Sequence, residues 1–127
     1  MKRPEYKSEE KCWGHVSHLF SDRTALSFLQ VNEGWRCSVH CHLHRWNEFR
    51  VISGAIRIIR YERVQGLLQV QTSIVLRADS NLAVGPGIYH SFEVVASGEV
   101  IETYWTKDGT DVDINDIVRE NEGGPIP

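Results

Sequence analysis

Three of the chain's six histidines alternate as His40, His42 and His44. On a β-strand successive side chains point to opposite faces, so these imidazoles would share one side, with Cys37, Val39, Cys41 and Leu43 on the other. Imidazoles two residues apart on a stiff element can offer adjacent ligands to one metal ion. A solvated strand face that is merely His-rich is the competing reading. Cys41 lies between two of these histidines, but its parity turns it away from anything they hold. The cysteines, Cys12, Cys37 and Cys41, are odd in number. On one strand Cys37 and Cys41 would stand about 13 Å apart, too far to bridge. Reduced thiols in a cytoplasmic protein are therefore expected.

The elements that must carry these residues are short runs rich in Val, Ile, Leu and Phe. They are His15–Phe20, Ala25–Val31, Ser38–Leu43, Phe49–Ser53, Ala55–Tyr61, Leu67–Gln71, Ser73–Leu76, Asn81–Val84, Ser91–Val95 and Val100–Trp105. Between them lie turn residues: Asn32-Glu33-Gly34, Ser53-Gly54, Ala78-Asp79-Ser80, Gly85-Pro86-Gly87 and Ser97-Gly98. Many short strands at this spacing predict an all-β sandwich or barrel. Only Asp111–Glu120 has a helical look, with Val112, Ile114, Ile117 and Val118 irregularly spaced. Residues 1–11 are rich in Lys, Arg and Glu with no hydrophobic stretch behind them, so they read as a frayed tail and not a secretory signal.

At 127 residues, one domain is expected, spanning residues 12–127 after that tail. Fourteen Lys and Arg against seventeen Asp and Glu give a net charge of -3. That balance supplies no field to attract a phosphate backbone, which disfavours general nucleic-acid binding. No apolar run approaches the length of a bilayer span, so no membrane role is expected.

The spacing Gly34, five residues, His40, one residue, His42, four residues, Asn47, six residues, Gly54 resembles the first motif of the cupins, which has Glu where this chain has Asn47. Gly85-Pro86-Gly87-Ile88-Tyr89-His90 resembles their second motif, in which Pro-Gly-x-x-His brings in the last metal ligand. Within the cupins, Gly34–Ser38, His42-Leu43-His44-Arg45 and Val51-Ile52-Ser53-Gly54 look like the type II mannose-6-phosphate isomerase domain. Val100-Ile101-Glu102, Asp113–Arg119 and Trp13-Gly14 resemble its closing and opening segments. Three departures stand out. His40 replaces that group's usual Gln, Asn47 replaces the acidic ligand, and the Glu122-Gly123-Gly124 ending lacks an aromatic-Gly-Arg finish.

The resemblance implies a double-stranded β-helix, a jelly-roll barrel holding a metal among His40, His42 and His90. Asn47 would take the fourth position, because it shares a face with Phe49, Val51 and Ser53, which suit a barrel lining. A bulge in the Arg45–Glu48 turn would instead turn Glu48 inward as the ligand; otherwise Glu48 and Arg50 form a surface ion pair. His44 reads as a further ligand, as a donor behind the ligands, or as solvent-exposed. A divalent ion is expected, zinc first, with iron, manganese, nickel and copper also admissible. Without a carboxylate ligand the ion would keep its full charge and be the stronger Lewis acid.

Glu102 reads as a general base or a rim residue, Arg45 as an anion contact or a solvated turn residue, and Tyr89 as a phenol donor at the barrel mouth. Phe49, Val51 and Phe92 are expected in the core; His15 and His18 are expected to be structural. Trp35, Trp46 and Trp105 would cover either core or the face of a homodimer. The leading expectation is an isomerase-like cupin moving a proton on a carbohydrate such as a sugar phosphate. The alternatives are a three-histidine oxygenase and a non-catalytic binder of carbohydrate or another small ligand.

Overall fold

The computed structural model describes residues 5–21 and 23–127. Among the described residues eleven strands follow in order: β1 (Glu5–Lys11), β2 (Gly14–Phe20), β3 (Thr24–Val31), β4 (Trp35–Arg36), β5 (His40–Cys41), β6 (Arg45–Val64), β7 (Leu67–Arg77), β8 (Asn81–Val84), β9 (His90–Thr106), β10 (Val118–Arg119) and β11 (Gly124–Pro125). All pairings are antiparallel: β1-β2-β3-β9 are neighbours in that order, and β9 also pairs with β4, β5 and β6. The sheet curls on itself as a double-stranded β-helix, the jelly roll expected from the sequence.

Two long strands do the curling. The runs expected as Phe49–Ser53 and Ala55–Tyr61 are one strand of 20 residues, and Ser91–Val95 and Val100–Trp105 are one strand of 17. What reads as two turns, Ser53-Gly54 and Ser97-Gly98, is a pair of facing corners where both strands bend together. Gly54 has φ +78°, and a Cβ there would lie 2.5 Å from the Ser97 carbonyl oxygen; a Cβ on Gly98 would lie 2.1 Å from that of Ser53. Only glycine lets the two backbones approach this closely. The register between β6 and β9 shifts at the same place, between Val51 and Ile56.

Alternation then fills the barrel. Ala25, Ser27, Leu29 and Val31 face in from β3, Phe49 and Val51 from β6, and Val100 and Tyr104 from β9. Trp13 meets Phe92 edge-on at 5.1 Å, and Phe49 meets Phe92 at 6.3 Å, so Phe49, Val51 and Phe92 are core packing as expected. Trp46 and Trp105, cross-strand partners, stack at 6.2 Å on the other face, while Trp35 is exposed.

Three local expectations are corrected. Residues 5–11, the described part of the expected tail, form a strand paired along its whole length with β2; residues 1–4 lie outside the described residues. Pairing with β2 and ion pairs from Glu9 to Lys7 and Lys11 supply order that composition did not signal. Asp111–Glu120 is not helical: it runs through turns into β10, which pairs with β5. Ser38–Leu43 is a strand only at His40–Cys41. No helix among the described residues is long and apolar enough to cross a membrane.

Candidate metal centre

His40 and His90 are paired across β5 and β9, and His42 follows β5 by one residue. The Gly85-Pro86-Gly87 turn ties this corner together, since the Gly87 N–H donates to the His42 carbonyl at 2.7 Å. The three rings converge, with centroids 5.1 Å apart for His40–His42, 4.7 Å for His40–His90 and 5.4 Å for His42–His90. One nitrogen from each ring lies within 4.8 Å of the other two.

Their Nδ1 atoms all face oxygen acceptors of the main chain. His40 Nδ1 stands 2.9 Å from the Ser38 carbonyl, His90 Nδ1 2.9 Å from that of Ile88, and His42 Nδ1 2.7 Å from that of Asp116. A carbonyl only accepts, so each Nδ1 carries the proton and each Nε2 keeps its lone pair. His42 Nε2 and His90 Nε2 are buried without a hydrogen-bond partner among the described residues. Burial drives the imidazole of His40 well below its ordinary value, that of His42 to about 3 and that of His90 to about 4, so the rings are neutral at pH 7. Three neutral imidazoles with converging Nε2 lone pairs are a donor set that suits a divalent transition metal.

The rings of His40 and His42 line a cavity of about 650 Å³ that also holds Arg45, Glu102 and Tyr104, with a lining that mixes apolar residues such as Trp13 and Phe92 with charged ones such as Lys7, Glu9 and Arg119. Glu102 is buried, and burial raises its carboxyl above the ordinary value despite a 3.0 Å hydrogen bond donated by Asn47 Nδ2 to Oε2. Tyr104 is likewise buried, and burial moves its phenol well upward. Arg45 lies 4.2 Å over the Tyr104 ring, donates from Nη1 to the Asp113 carbonyl at 3.0 Å, and leaves Nε without a partner among the described residues.

The expected site residues therefore separate. Asn47, not Glu48, faces inward: Asn47 is fully buried, whereas Glu48 stands 3.6 Å from Arg50 in an ion pair on the outer face. The register of β6 with β8 and β9 is unbroken at this point, so simple alternation holds. Asn47 nevertheless spends its amide on Glu102, and its Oδ1 has no partner among the described residues. His44 is exposed and stands outside the imidazole cluster, because the chain leaves β5 before reaching it and alternation no longer applies. Tyr89 is not part of the cavity wall; its ring lies 5.2 Å from the Arg63 guanidinium. Arg45 is only 4 % exposed, which removes the solvated-turn reading.

Two residues of this region escaped the sequence reading. Tyr104 could have been found from its shared parity with Glu102. Asp116 carried no spacing signal, being far along the chain from His42.

No protein-family model matches the chain, and no curated protein matches it by sequence. Solved structures do match in shape. Oxalate decarboxylase from Bacillus subtilis at pH 4.6 superposes with a TM-score of 0.72 at 12% identity over 91% of this chain. A point mutant of the same enzyme, with alanine in place of an arginine, gives 0.72 at 13% identity, again over 91%. A structure from a study of the enzyme's Mn(II) centres gives 0.65 at 10% identity over 87%. The chain spans 30% of the length of each of these proteins. At such identities the likeness establishes the fold, a double-stranded β-helix or jelly roll, and carries no specific activity.

Proposed function

We propose that the chain binds a divalent metal through His40, His42 and His90 and moves a proton on a small, oxygen-rich anion, with sugar phosphates as the leading substrate class. One observation carries this reading: three neutral, converging imidazoles adjoin a cavity that holds a buried carboxylate and a buried, incompletely paired guanidinium. A bound ion would supply Lewis-acid polarisation of a substrate oxygen. Arg45 would hold the anionic end, since it lines the cavity and its guanidinium is held by the Tyr104 ring and the Asp113 carbonyl. Glu102 would carry the proton; it is buried in the cavity, and burial raises its carboxyl above the ordinary value. Asn47 would keep that carboxylate oriented through Oε2.

The imidazole cluster includes no acidic residue among the described residues, which favours a second reading, a three-histidine oxygenase. Zinc, manganese and iron loading, followed by proton exchange at C2 of a sugar phosphate in deuterated water and by oxygen uptake with a small thiol, separates the two. Exchange that depends on metal and on Glu102 supports the proton-transfer reading. Oxygen uptake without exchange replaces it. In elemental analysis His42→Ala and His90→Ala should each lose the metal while staying folded; retention by both variants defeats the ligand assignment.

A further inference from the structure

The segment from Asp113 to Pro125 folds back over the histidine corner. Its strand β10 pairs with β5, placing Arg119 opposite His40, and β11 pairs with β4. Before β10 the chain turns tightly: the Asn115 N–H donates to Asp113 Oδ1 at 2.9 Å, and the Asp116 N–H to the Asp113 carbonyl at 3.1 Å. The turn presents Asp116 to the His42–His44 loop through three acceptors. Oδ1 takes the Leu43 N–H at 2.8 Å, Oδ2 takes the His44 N–H at 2.9 Å, and the main-chain carbonyl takes the His42 Nδ1–H at 2.7 Å.

We propose that Asp116 is a positioning residue that fixes the ring orientation and tautomer of His42, and through it the affinity of the three-imidazole site for metal. The contrast among the three rings motivates this. His40 and His90 are strand residues whose Nδ1 acceptors, Ser38 and Ile88, lie two residues back on their own chain. His42 belongs to no strand, and its acceptor comes from a distant segment. The carboxylate pins that segment to the loop by two charge-assisted hydrogen bonds, so the carbonyl beneath the ring stays where the ring needs it. Removing the side chain leaves the carbonyl in the sequence but frees its position.

The affinity half of the inference rests on the metal reading above; the tautomer half does not. In metal-free protein, correlation of the imidazole ¹⁵N and ¹H signals should show His42 as the Nδ1–H tautomer. Asp116→Ala should convert it to a mixture while His40 and His90 keep theirs, with circular dichroism unchanged. In titrations with zinc, Asp116→Ala should bind roughly 10–100-fold more weakly than the parent chain. Asp116→Asn, which keeps one oxygen acceptor, should fall between them and also serves if the alanine variant fails to fold. Wild-type tautomer and wild-type zinc affinity in both variants overturn the proposal. A parent chain that takes up no zinc defeats the metal reading and the affinity half, while the tautomer measurement still decides whether Asp116 positions His42.

Discussion

The long strands β6 and β9 and the two-residue strands β4, β5, β10 and β11 hold the site in different ways. β6 and β9 pair with each other from Arg45–Thr106 at one end to Arg60–His90 at the other, and together supply His90, Arg45, Asn47, Glu102 and Tyr104. Their side chains are placed by an extended ladder, so no single bond decides their direction. His40 and His42 instead sit on and just beyond a stub that is held by one pair with β9, two with β10 and the Asp116 contacts. There each hydrogen bond counts individually. The charged, proton-handling groups are thus built on the rigid region, and two of the three imidazoles on the region most open to local change.

This contrast is broken most severely at the corners. Gly98→Ala puts a Cβ 2.1 Å from a carbonyl oxygen of the opposing strand and should cost at least about 3 kcal/mol in urea denaturation. Gly34→Ala, next to β4, meets open space and bears only the φ of +89°, so about 1 kcal/mol is expected. Equal losses would erase the distinction between the two regions.

A smaller effect comes from pH. Burial holds His42 at about 3 and His90 at about 4, so both are neutral in the folded protein, while the unfolded chain takes up protons below 6.5. The unfolded state then binds more protons, and stability should fall as the pH drops from 6.5 towards 4, by about 1.4 kcal/mol per pH unit for each ring. Glu102, raised by burial, works in the opposite sense, since the folded state takes its proton first as the pH falls. Urea melts of the metal-free protein between pH 7 and 5 check the sign; stability that is flat or rises there contradicts it.

The smallest effect is expected for Glu102→Gln on the rigid side. An amide oxygen can still accept from Asn47 and the cost of burying a carboxylate is removed, while the buried Arg45 loses a nearby opposite charge, so the two effects oppose and stability at pH 7 should change by no more than about 1 kcal/mol. Metal content should be unchanged while any metal-dependent proton exchange disappears. The variant also lacks the compensating carboxyl, so its stability should fall more steeply with acidity than that of the parent chain.

Much of the rigid region could be read in advance. Alternation from Asn47 to Val51 puts Asn47, Phe49 and Val51 on the inner face as preferred, and the bulge that would have turned Glu48 inward is absent. The corners could not be read, because Ser-Gly is equally good chemistry for a chain reversal and for a bend in a continuing strand. In the stub region local rules failed more often. The same alternation extended to His44 gave the wrong side, since the chain leaves β5 after Cys41. The apolar residues of Asp111–Glu120 suggested a helix, although Ile114 and Ile117 belong to the cavity wall and Val118 is exposed on the short strand β10.

The order of residues by itself determined the donor chemistry: which side chains can bind a metal or carry a proton, and which of them share a face wherever a strand persists. Those are covalent and nearest-neighbour properties. The motif resemblance already joined His90 to His40 and His42; only the tertiary structure decided how their rings converge, that Tyr89 is left outside, and that Asp116 closes over the loop. Each depends on hydrogen-bond register between segments far apart in the chain, and the two glycine corners help set that register by letting two backbones touch.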